Sequence, residues 1–250
     1  MKVLYFGREV ESMSKKFKKI FIVITLVCGL LYVVENKGLE LHTINLKENR
    51  IYLNEEDKLV NQNNINVNTE LVLVNREYGL ERDYKPEKLY IPNIPFVAGV
   101  SREEKHVEGI IVKQLEELVS TAKKEGIILL GNSGYRSYET QENTYSNRVR
   151  SSGKKLADSY VAKPGFSEHQ TGLCIDITNQ SRNFTKGTKE ADWLAENCYK
   201  FGFIIRYPYG KKSITGIEYE PWHIRYVGKK AAKYIHDNRI TLEEYLEKSA

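Results

Sequence analysis

The sequence predicts an α+β domain that follows a short apolar segment near the N-terminus. Residues 71–250 combine helical patterns with strand-like segments that cluster late in the chain, which is typical of α+β proteins. Neither internal repeats nor low-complexity tracts occur in the sequence. The 250 residues, of which 41% are hydrophobic and 28% charged, suit one folded domain and exclude a wholly disordered chain.

The N-terminal segment has the pattern of a secretory signal or a signal anchor. Four lysines between positions 15 and 19 precede an uncharged apolar run at 20–34 (IFIVITLVCGLLYVV). Such a run forms a helix of about 22 Å, which is short against a hydrocarbon core of roughly 30 Å unless flanking residues contribute. Because no small-residue cleavage site follows, we expect an uncleaved transmembrane anchor with residues 1–19 in the cytoplasm. A cleaved signal peptide is the alternative.

Residues 35–70 are polar and lack a sustained apolar period, so we expect a spacer outside the membrane, followed by the domain at 71–250. The formal net charge is +5. Residues 1–35 contain six Lys or Arg and three Glu, which leaves a net charge of only +2 for the rest of the chain. This distribution argues against a nucleic-acid partner. Three scattered cysteines likewise exclude a disulfide framework.

Apolar periodicity and helix-ending glycines predict the elements of the domain. A helical stripe over 102–125 ends at Gly126, and a buried strand follows at 127–130. Further helices are predicted at 138–150, 154–162, 188–201, 228–238 and 241–248. Further strands are predicted at 173–178, 203–206, 216–220 and 223–227.

Two of the five histidines lie in polar segments at the end or start of a predicted strand. In SEHQTGLCID, a turn through Gly172 could return Asp176 to face His169. In EPWH, Glu220 lies three residues before His223, within reach of a water molecule beside that histidine. Two histidines and one carboxylate leave the fourth tetrahedral position of a zinc ion open, as in catalytic sites. Because the H-E-x-x-H motif is absent from the sequence, such a site has to be assembled from separated segments.

A third polar segment, NSGYRS, follows the predicted strand at 127–130. Loops at strand ends commonly present binding groups. The planar guanidinium group of Arg136 could hold a substrate carboxylate or the oxyanion that forms during attack on a carbonyl. Taken alone, Arg136 would be interpreted as a surface residue, and only the two histidine segments favour a functional role.

The segments SGYRS, SEHQTGLCID and EPWHIRYVG, in this order and separation, resemble the VanY-type D,D-carboxypeptidases and the related L,D-carboxypeptidases of bacterial cell-wall metabolism. The resemblance covers about residues 70–248 and extends to GFIIRYP and LEEYL. It implies a small α+β zinc peptidase domain in which helices flank a central antiparallel sheet. It also implies one Zn²⁺ ion and removal of the C-terminal D-alanine from peptidoglycan stem peptides.

The resemblance also implies roles for individual residues. The expected zinc ligands and general base fall on His169, Asp176, His223 and Glu220. Arg136 takes the place of the family's arginine near the scissile carbonyl, where it would serve catalysis and substrate binding. Gln141 and Ser167 match positions that hold the terminal D-residue of the peptide.

Position 174 departs from the family pattern, because a small residue such as alanine or serine is usual and this chain has Cys174. On a strand, Cys174 would share a face with Asp176, so a thiol near the metal is one interpretation. Such a thiol could alter metal preference or sensitivity to oxidation. A buried, inert cysteine is the interpretation we favour, since cysteine is among the most buried residue types.

Several alternatives stay open at the level of sequence. D,D-carboxypeptidases remove the last D-alanine of a pentapeptide, whereas L,D-carboxypeptidases cut a tetrapeptide, and both carry these motifs. The likeness of TGIEYEPWHIRYVG to VanY-type enzymes favours the D,D reaction. A wall-binding module without catalysis is disfavoured because the expected ligands and base are all present, although another divalent ion could replace zinc. We expect a monomer in the cytoplasmic membrane, with its catalytic domain on the outer side.

Overall fold

The structure, a computed structural model, describes residues 59–60 and 69–249. None of the helices in these two ranges has both the length and the hydrophobicity of a membrane span. The predicted cytoplasmic segment (1–19) and anchor (20–34) lie outside the described residues, as does most of the predicted spacer (35–70).

Antiparallel pairing dominates the strands of the described residues. In chain order the strands are β1 (Leu59–Val60), β2 (Gly79–Leu80), β3 (Leu89–Tyr90), β4 (Val107–Glu108), β5 (Leu130–Ser133), β6 (Cys174–Thr178), β7 (Phe203–Ile205) and β8 (His223–Tyr226). β1 and β2 form a short parallel pair, and β3 and β4 form an antiparallel pair. The other four strands form an antiparallel sheet in the order β5-β6-β8-β7.

Helices account for most of the remaining secondary structure. In chain order they are α1 (Gly109–Lys124), α2 (Tyr138–Ser152), α3 (Lys154–Tyr160), α4 (Lys189–Asn197), α5 (Lys212–Thr215), α6 (Lys229–Asn238) and α7 (Leu242–Ser249). Short 3-10 helices occur at Thr69–Leu71, Glu103–Lys105, Glu168–Thr171 and Cys198–Phe201. The predicted combination of helices with an antiparallel sheet is thereby confirmed.

The first predicted helix begins later than the apolar stripe suggests. Residues 103–105 form a 3-10 turn, and Val107 and Glu108 pair with β3 instead of entering the helix. The Glu108 side chain then accepts a hydrogen bond from the backbone N–H of Ile110 and caps α1. Val107 is buried, as the stripe predicts, but it reaches the core from a strand.

The predicted strand at 216–220 is wrong. Residues 212–215 form α5, which the sequence does not predict, and Gly216 ends that helix with a φ of +78°. A left-handed conformation interrupts extended backbone, and residues 217–220 continue without strand pairing in the described structure. The backbone N–H of Glu220 instead donates to the carbonyl of Tyr207.

The central sheet separates an apolar core from a polar face. Ile175, Ile177 and Ile224 belong to the larger core cluster, together with the buried stripe of α1. Alternation along the strands turns their neighbours to the opposite face. There, Asp176 pairs directly with His223, and Cys174 pairs with Arg225. Since directly opposed residues share a face, the antiparallel register places these polar side chains together.

Candidate active site

A cavity of about 730 Å³ opens over the polar face of the central sheet. The seven residues that the sequence singled out all line it: Arg136, Gln141, Ser167, His169, Asp176, Glu220 and His223. They come from four separate segments of the chain, so the fold brings together residues up to 87 positions apart in the sequence, from 136 to 223.

A sharp turn places His169 opposite Asp176. His169 lies on the 3-10 helix Glu168–Thr171, which ends at Gly172 with a φ of +67°. A side chain at 172 would lie 2.9 Å from the backbone nitrogen of Glu108, so both conformation and space require glycine. The chain then enters β6, and His169 Nε2 lies 3.6 Å from Asp176 Oδ2.

Asp176 lies close to both histidines. His223 Nδ1 lies 3.1 Å from Asp176 Oδ1, yet that oxygen is buried without a hydrogen-bond partner among the described residues. Atoms that each lie ~2.0–2.1 Å from a tetrahedral zinc ion are about 3.3 Å apart. Asp176 thus lies beside both histidines, with one carboxylate oxygen near each, and two imidazoles with a carboxylate are a donor set that fits a metal ion.

The side chain of His169 is fixed from behind. His169 Nδ1 lies 2.6 Å from the carbonyl oxygen of Gly134, which can only accept a hydrogen bond. The proton of a neutral ring therefore lies on Nδ1, and the lone pair of Nε2 faces Asp176. Burial and the charge of Arg136 lower the pKa of His169 to about 3, so the ring is neutral, as a ligand must be.

Cys174 also lies near both histidines, with ligand atoms of His169, Cys174 and His223 all within 4.8 Å of one another. Asp176 is the better third ligand, because it lines the cavity and Cys174 does not. Burial raises the pKa of the Cys174 thiol, which disfavours the thiolate that a metal ligand requires. The cysteine is therefore a fully buried neighbour of the site, as one of the two sequence interpretations expects.

Glu220 is a buried carboxyl group beside the histidine pair. Its Oε2 lies 3.8 Å from His223 Nδ1, and the turn Glu220–His223 is closed by a backbone hydrogen bond. Burial raises the pKa of Glu220 to about 8, and Asp176 contributes in the same direction. A carboxyl group with a pKa near neutrality can both accept and return a proton.

Arg136 lies at the same cavity wall and points towards Asp176. A bulge between Gly131 and Ser133 shifts the register within β5, and Gly134 then packs so closely on the carbonyl of His106 that a side chain would overlap it. Arg136 Nη2 lies 3.7 Å from Asp176 Oδ2, and Nη1 donates to Gln141 Oε1 at 2.7 Å. Arg136 therefore places a positive charge at the cavity, beside Asp176.

Gln141 supports Arg136 instead of pointing freely into the cavity. Its Oε1 accepts a hydrogen bond from Arg136, and its Nε2 donates one to the carbonyl of Ala162 at 2.7 Å. Both polar atoms of the amide are therefore already hydrogen-bonded within the protein. Ser137 caps α2 through the backbone N–H of Thr140 and thereby fixes where Gln141 emerges. Ser167 lines the cavity on the opposite segment and has a free hydroxyl among the described contacts.

Sequence reasoning missed three buried charged residues next to the site. Glu168, Arg206 and Arg225 are almost completely inaccessible to solvent, and both arginines bind Glu168, which lies next to His223. The sequence does contain a signal for this cluster, since an arginine lies inside each of the apolar segments FIIRYP and HIRYV. An arginine in a buried strand is rarely tolerated without an acidic partner, so both segments predict a buried ion pair.

The family model described as D-alanyl-D-alanine carboxypeptidase, VanY, matches residues 104–229, just over half of the chain. The chain belongs to the VanY family. A D-alanyl-D-alanine carboxypeptidase of Enterococcus faecalis (strain ATCC 700802 / V583) is 37% identical over 185 residues. That match covers 70% of this chain and 65% of the relative, so the chain matches just under two thirds of the relative's length.

Two solved structures place the fold within the VanY family. The LdcB LD-carboxypeptidase has 46% sequence identity and a TM-score of 0.65, and the match covers 70% of this chain and 84% of that chain. A point mutant of the vancomycin resistance D,D-pentapeptidase VanY, in complex with Zn(II), has 36% identity and a TM-score of 0.61. This second match covers 71% of this chain and 99% of that chain.

Proposed function

We propose that the chain is a zinc-dependent carboxypeptidase that removes the C-terminal D-alanine from peptidoglycan stem peptides. The observation that carries the proposal is the convergence of His169, Asp176 and His223 beside Glu220 and Arg136 in one cavity. Membership of the VanY family supports the same reaction.

In this proposal, His169 Nε2, Asp176 and His223 Nδ1 hold the zinc ion. A bound zinc ion supplies Lewis-acid chemistry, which polarises the scissile carbonyl and lowers the pKa of water. The known Zn(II) complex of a VanY structure supports zinc over other divalent ions. We expect one ion, because the site supplies one set of three ligands.

Glu220 serves as the general base and then as the general acid. Its carboxylate takes a proton from the attacking water molecule and returns that proton to the amine of the departing D-alanine. Arg136 stabilises the negative charge that develops on the carbonyl oxygen, since Gln141 holds the guanidinium group in place. The buried position of Glu220 favours this proton transfer, because few water molecules compete for it.

Ser167 and Arg136 are the residues that we propose to contact the terminal D-residue. Ser167 presents a hydroxyl group to the cavity from the segment that also carries His169. Gln141 contributes indirectly, because its own polar atoms are already bound to Arg136 and Ala162.

The D,D reaction on pentapeptides is the primary proposal, and the L,D reaction on tetrapeptides is the second candidate. The family model and the Enterococcus faecalis relative support the first. The LdcB LD-carboxypeptidase, at 46% identity, is the specific observation that favours the second.

We also propose that the enzyme is a monomer held at the outer side of the cytoplasmic membrane by residues 20–34, with 35–70 as a spacer and 71–250 as the catalytic domain. The lysines before the apolar run support this orientation. A stem peptide of the cell wall is accessible only on that side of the membrane.

Release of D-alanine by the purified protein, measured side by side on a muramyl pentapeptide and a muramyl tetrapeptide, tests the proposal. We expect release from the pentapeptide that a chelator abolishes and added zinc restores. Release from the tetrapeptide alone would assign the L,D reaction. A zinc-loaded protein that releases D-alanine from neither peptide would contradict the proposal and favour a wall-binding module.

A further inference from the structure

A buried charge cluster lies behind the His223 ring, on the side away from the cavity. We define it as Glu168, Arg206 and Arg225, whose exposed fractions are 1%, 0% and 0%. The cavity lining described above includes none of these three side chains. Charges at such depth are costly unless they are paired and hydrogen-bonded, so their arrangement indicates a specific role.

Both arginines bind the same oxygen of Glu168. Arg206 Nε and Arg225 Nη1 each donate to Glu168 Oε1 at 2.7 Å. Arg206 also makes a two-pronged contact with Glu243 on α7, at 2.7 and 2.9 Å. Arg225 donates further to the backbone carbonyls of Glu70, Val72 and Tyr226. The guanidinium groups are thereby fixed, and they hold the Glu168 carboxylate in one orientation.

The second oxygen of Glu168 faces His223. Glu168 Oε2 and His223 Nε2 are 3.5 Å apart, and both are buried atoms without a hydrogen-bond partner among the described residues. Because a carboxylate only accepts, the pair can be satisfied only when His223 Nε2 carries the proton. The lone pair of Nδ1 then faces Asp176 and the cavity.

We infer that Glu168 is a positioning residue, which accepts the Nε2–H of His223 and so directs the Nδ1 lone pair to the metal position. Because both arginines donate to the Glu168 carboxylate, it presents an acceptor oxygen, and no O–H, to the ring. The Gly134 carbonyl performs the corresponding task for His169, through the opposite ring nitrogen. The two histidines are thus fixed in opposite tautomers by groups on opposite sides of the site. This inference rests on the proposed zinc site.

Glu168→Gln tests the inference, because it keeps the size of the side chain. With two arginines on the carbonyl oxygen, the amide would present N–H to His223 Nε2 and favour the proton on Nδ1. We expect the zinc dissociation constant to rise about 10- to 100-fold, which is the usual effect of losing such a supporting group. Competition with a chromophoric chelator, on protein kept well below its melting temperature, measures this constant without substrate.

Glu243→Gln is the matched control. It removes the other carboxylate bound to Arg206, but it lies on α7 and makes no contact with His223. A purely structural role for Glu168 predicts that both variants lower the melting temperature and that neither changes zinc affinity. A positioning role predicts weaker zinc binding for Glu168→Gln alone.

Nitrogen-15 NMR of the histidine rings in the zinc-loaded, unmutated protein gives a second readout. We expect His223 to bind zinc through Nδ1 and to carry a slowly exchanging proton on Nε2. An unprotonated Nε2, or unchanged zinc affinity in folded Glu168→Gln, would overturn the inference. If Glu168→Gln does not fold, the spectrum alone decides. Correct tautomers in a protein that releases no D-alanine would contradict the proposed function and leave this inference standing.

Discussion

At the scale of single residues, the site consists of polar side chains that are fixed on one side and open towards the cavity on the other. His169 is held through Nδ1 by the Gly134 carbonyl, and Arg136 is held through Nη1 by Gln141. Groups fixed in this way need little rearrangement when charge develops during a reaction, which is the main source of electrostatic catalysis. Disturbing a supporting residue should therefore affect rate more than folding.

Gln141→Ala tests this support directly. The substitution removes the acceptor of Arg136 Nη1 and the donor to the Ala162 carbonyl, so the guanidinium group becomes free to move. A hydrogen bond to a charged group contributes about 1.5–3 kcal/mol, so we expect kcat/KM for the pentapeptide to fall on the order of 10- to 100-fold. Glu142→Ala, at the exposed next position of α2, is the control and should leave kcat/KM unchanged. Equal effects of both substitutions would disprove a specific role for Gln141.

The two buried cysteines should be chemically inert in the folded protein. Cys174 and Cys198 are free thiols with exposed fractions of 0% and 2%, and burial raises the pKa of Cys198 to about 12. Because the thiolate is the reactive form, iodoacetamide at a mildly alkaline pH should modify neither residue until denaturant is added. Mass spectrometry of peptides, which distinguishes them from Cys28, measures the modification. Rapid labelling of Cys174 in native protein would instead indicate a thiol open to the site.

At the scale of elements, strand register and the glycine turn at Gly172 assemble the site. The pairing of Asp176 with His223 follows from the register between β6 and β8, and Gly172 turns His169 back onto that pair. The sequence predicts the ligands from the residue types histidine and aspartate, and it predicts the turn from Gly172. It does not reveal the register or the late start of α1, since both depend on contacts between distant segments.

Gly172→Ala should destabilise the fold and weaken metal binding together. Alanine would adopt the left-handed conformation at a cost on the order of 1–3 kcal/mol and would also contact the backbone of Glu108. Gly99→Ala is the matched control, because its φ is also positive, at +93°, and nothing lies within 4 Å of the added atom. Urea denaturation should show the larger loss of unfolding free energy for Gly172→Ala. An equal loss would mean that the contact with Glu108 is unimportant.

At the scale of the whole molecule, the start and end of the described domain are both tied to the site. Arg225 donates to the carbonyls of Glu70 and Val72, and Arg206 binds Glu243 on the last helix. The motifs at the two ends of the domain therefore reach the same buried cluster. Sequence patterns identify such distant motifs but do not show that they are in contact. The identity of a buried arginine does not specify which acidic residue or carbonyl group it binds.

A shortened chain tests the contribution of the hydrogen bonds between Arg225 and the N-terminal end of the domain. A fragment that begins at Asn75 loses two of the carbonyl partners of Arg225, those of Glu70 and Val72, and also the buried side chain of Val74. We expect it to unfold at a clearly lower temperature than a fragment that begins at residue 59, or to fail to fold. Thermal denaturation followed by circular dichroism compares the two fragments. Equal melting temperatures would show that residues 59–74 contribute nothing to the domain.

The central claim is that Glu220 performs proton transfer beside a zinc ion that other residues hold. Glu220→Gln separates the two functions, since the amide keeps the shape of the side chain and cannot act as a base. The decisive measurement is zinc content together with D-alanine release from the pentapeptide by this variant. The account predicts one bound zinc ion per chain and a rate reduced by roughly 10²- to 10⁴-fold. Undiminished release of D-alanine with zinc still bound would contradict it.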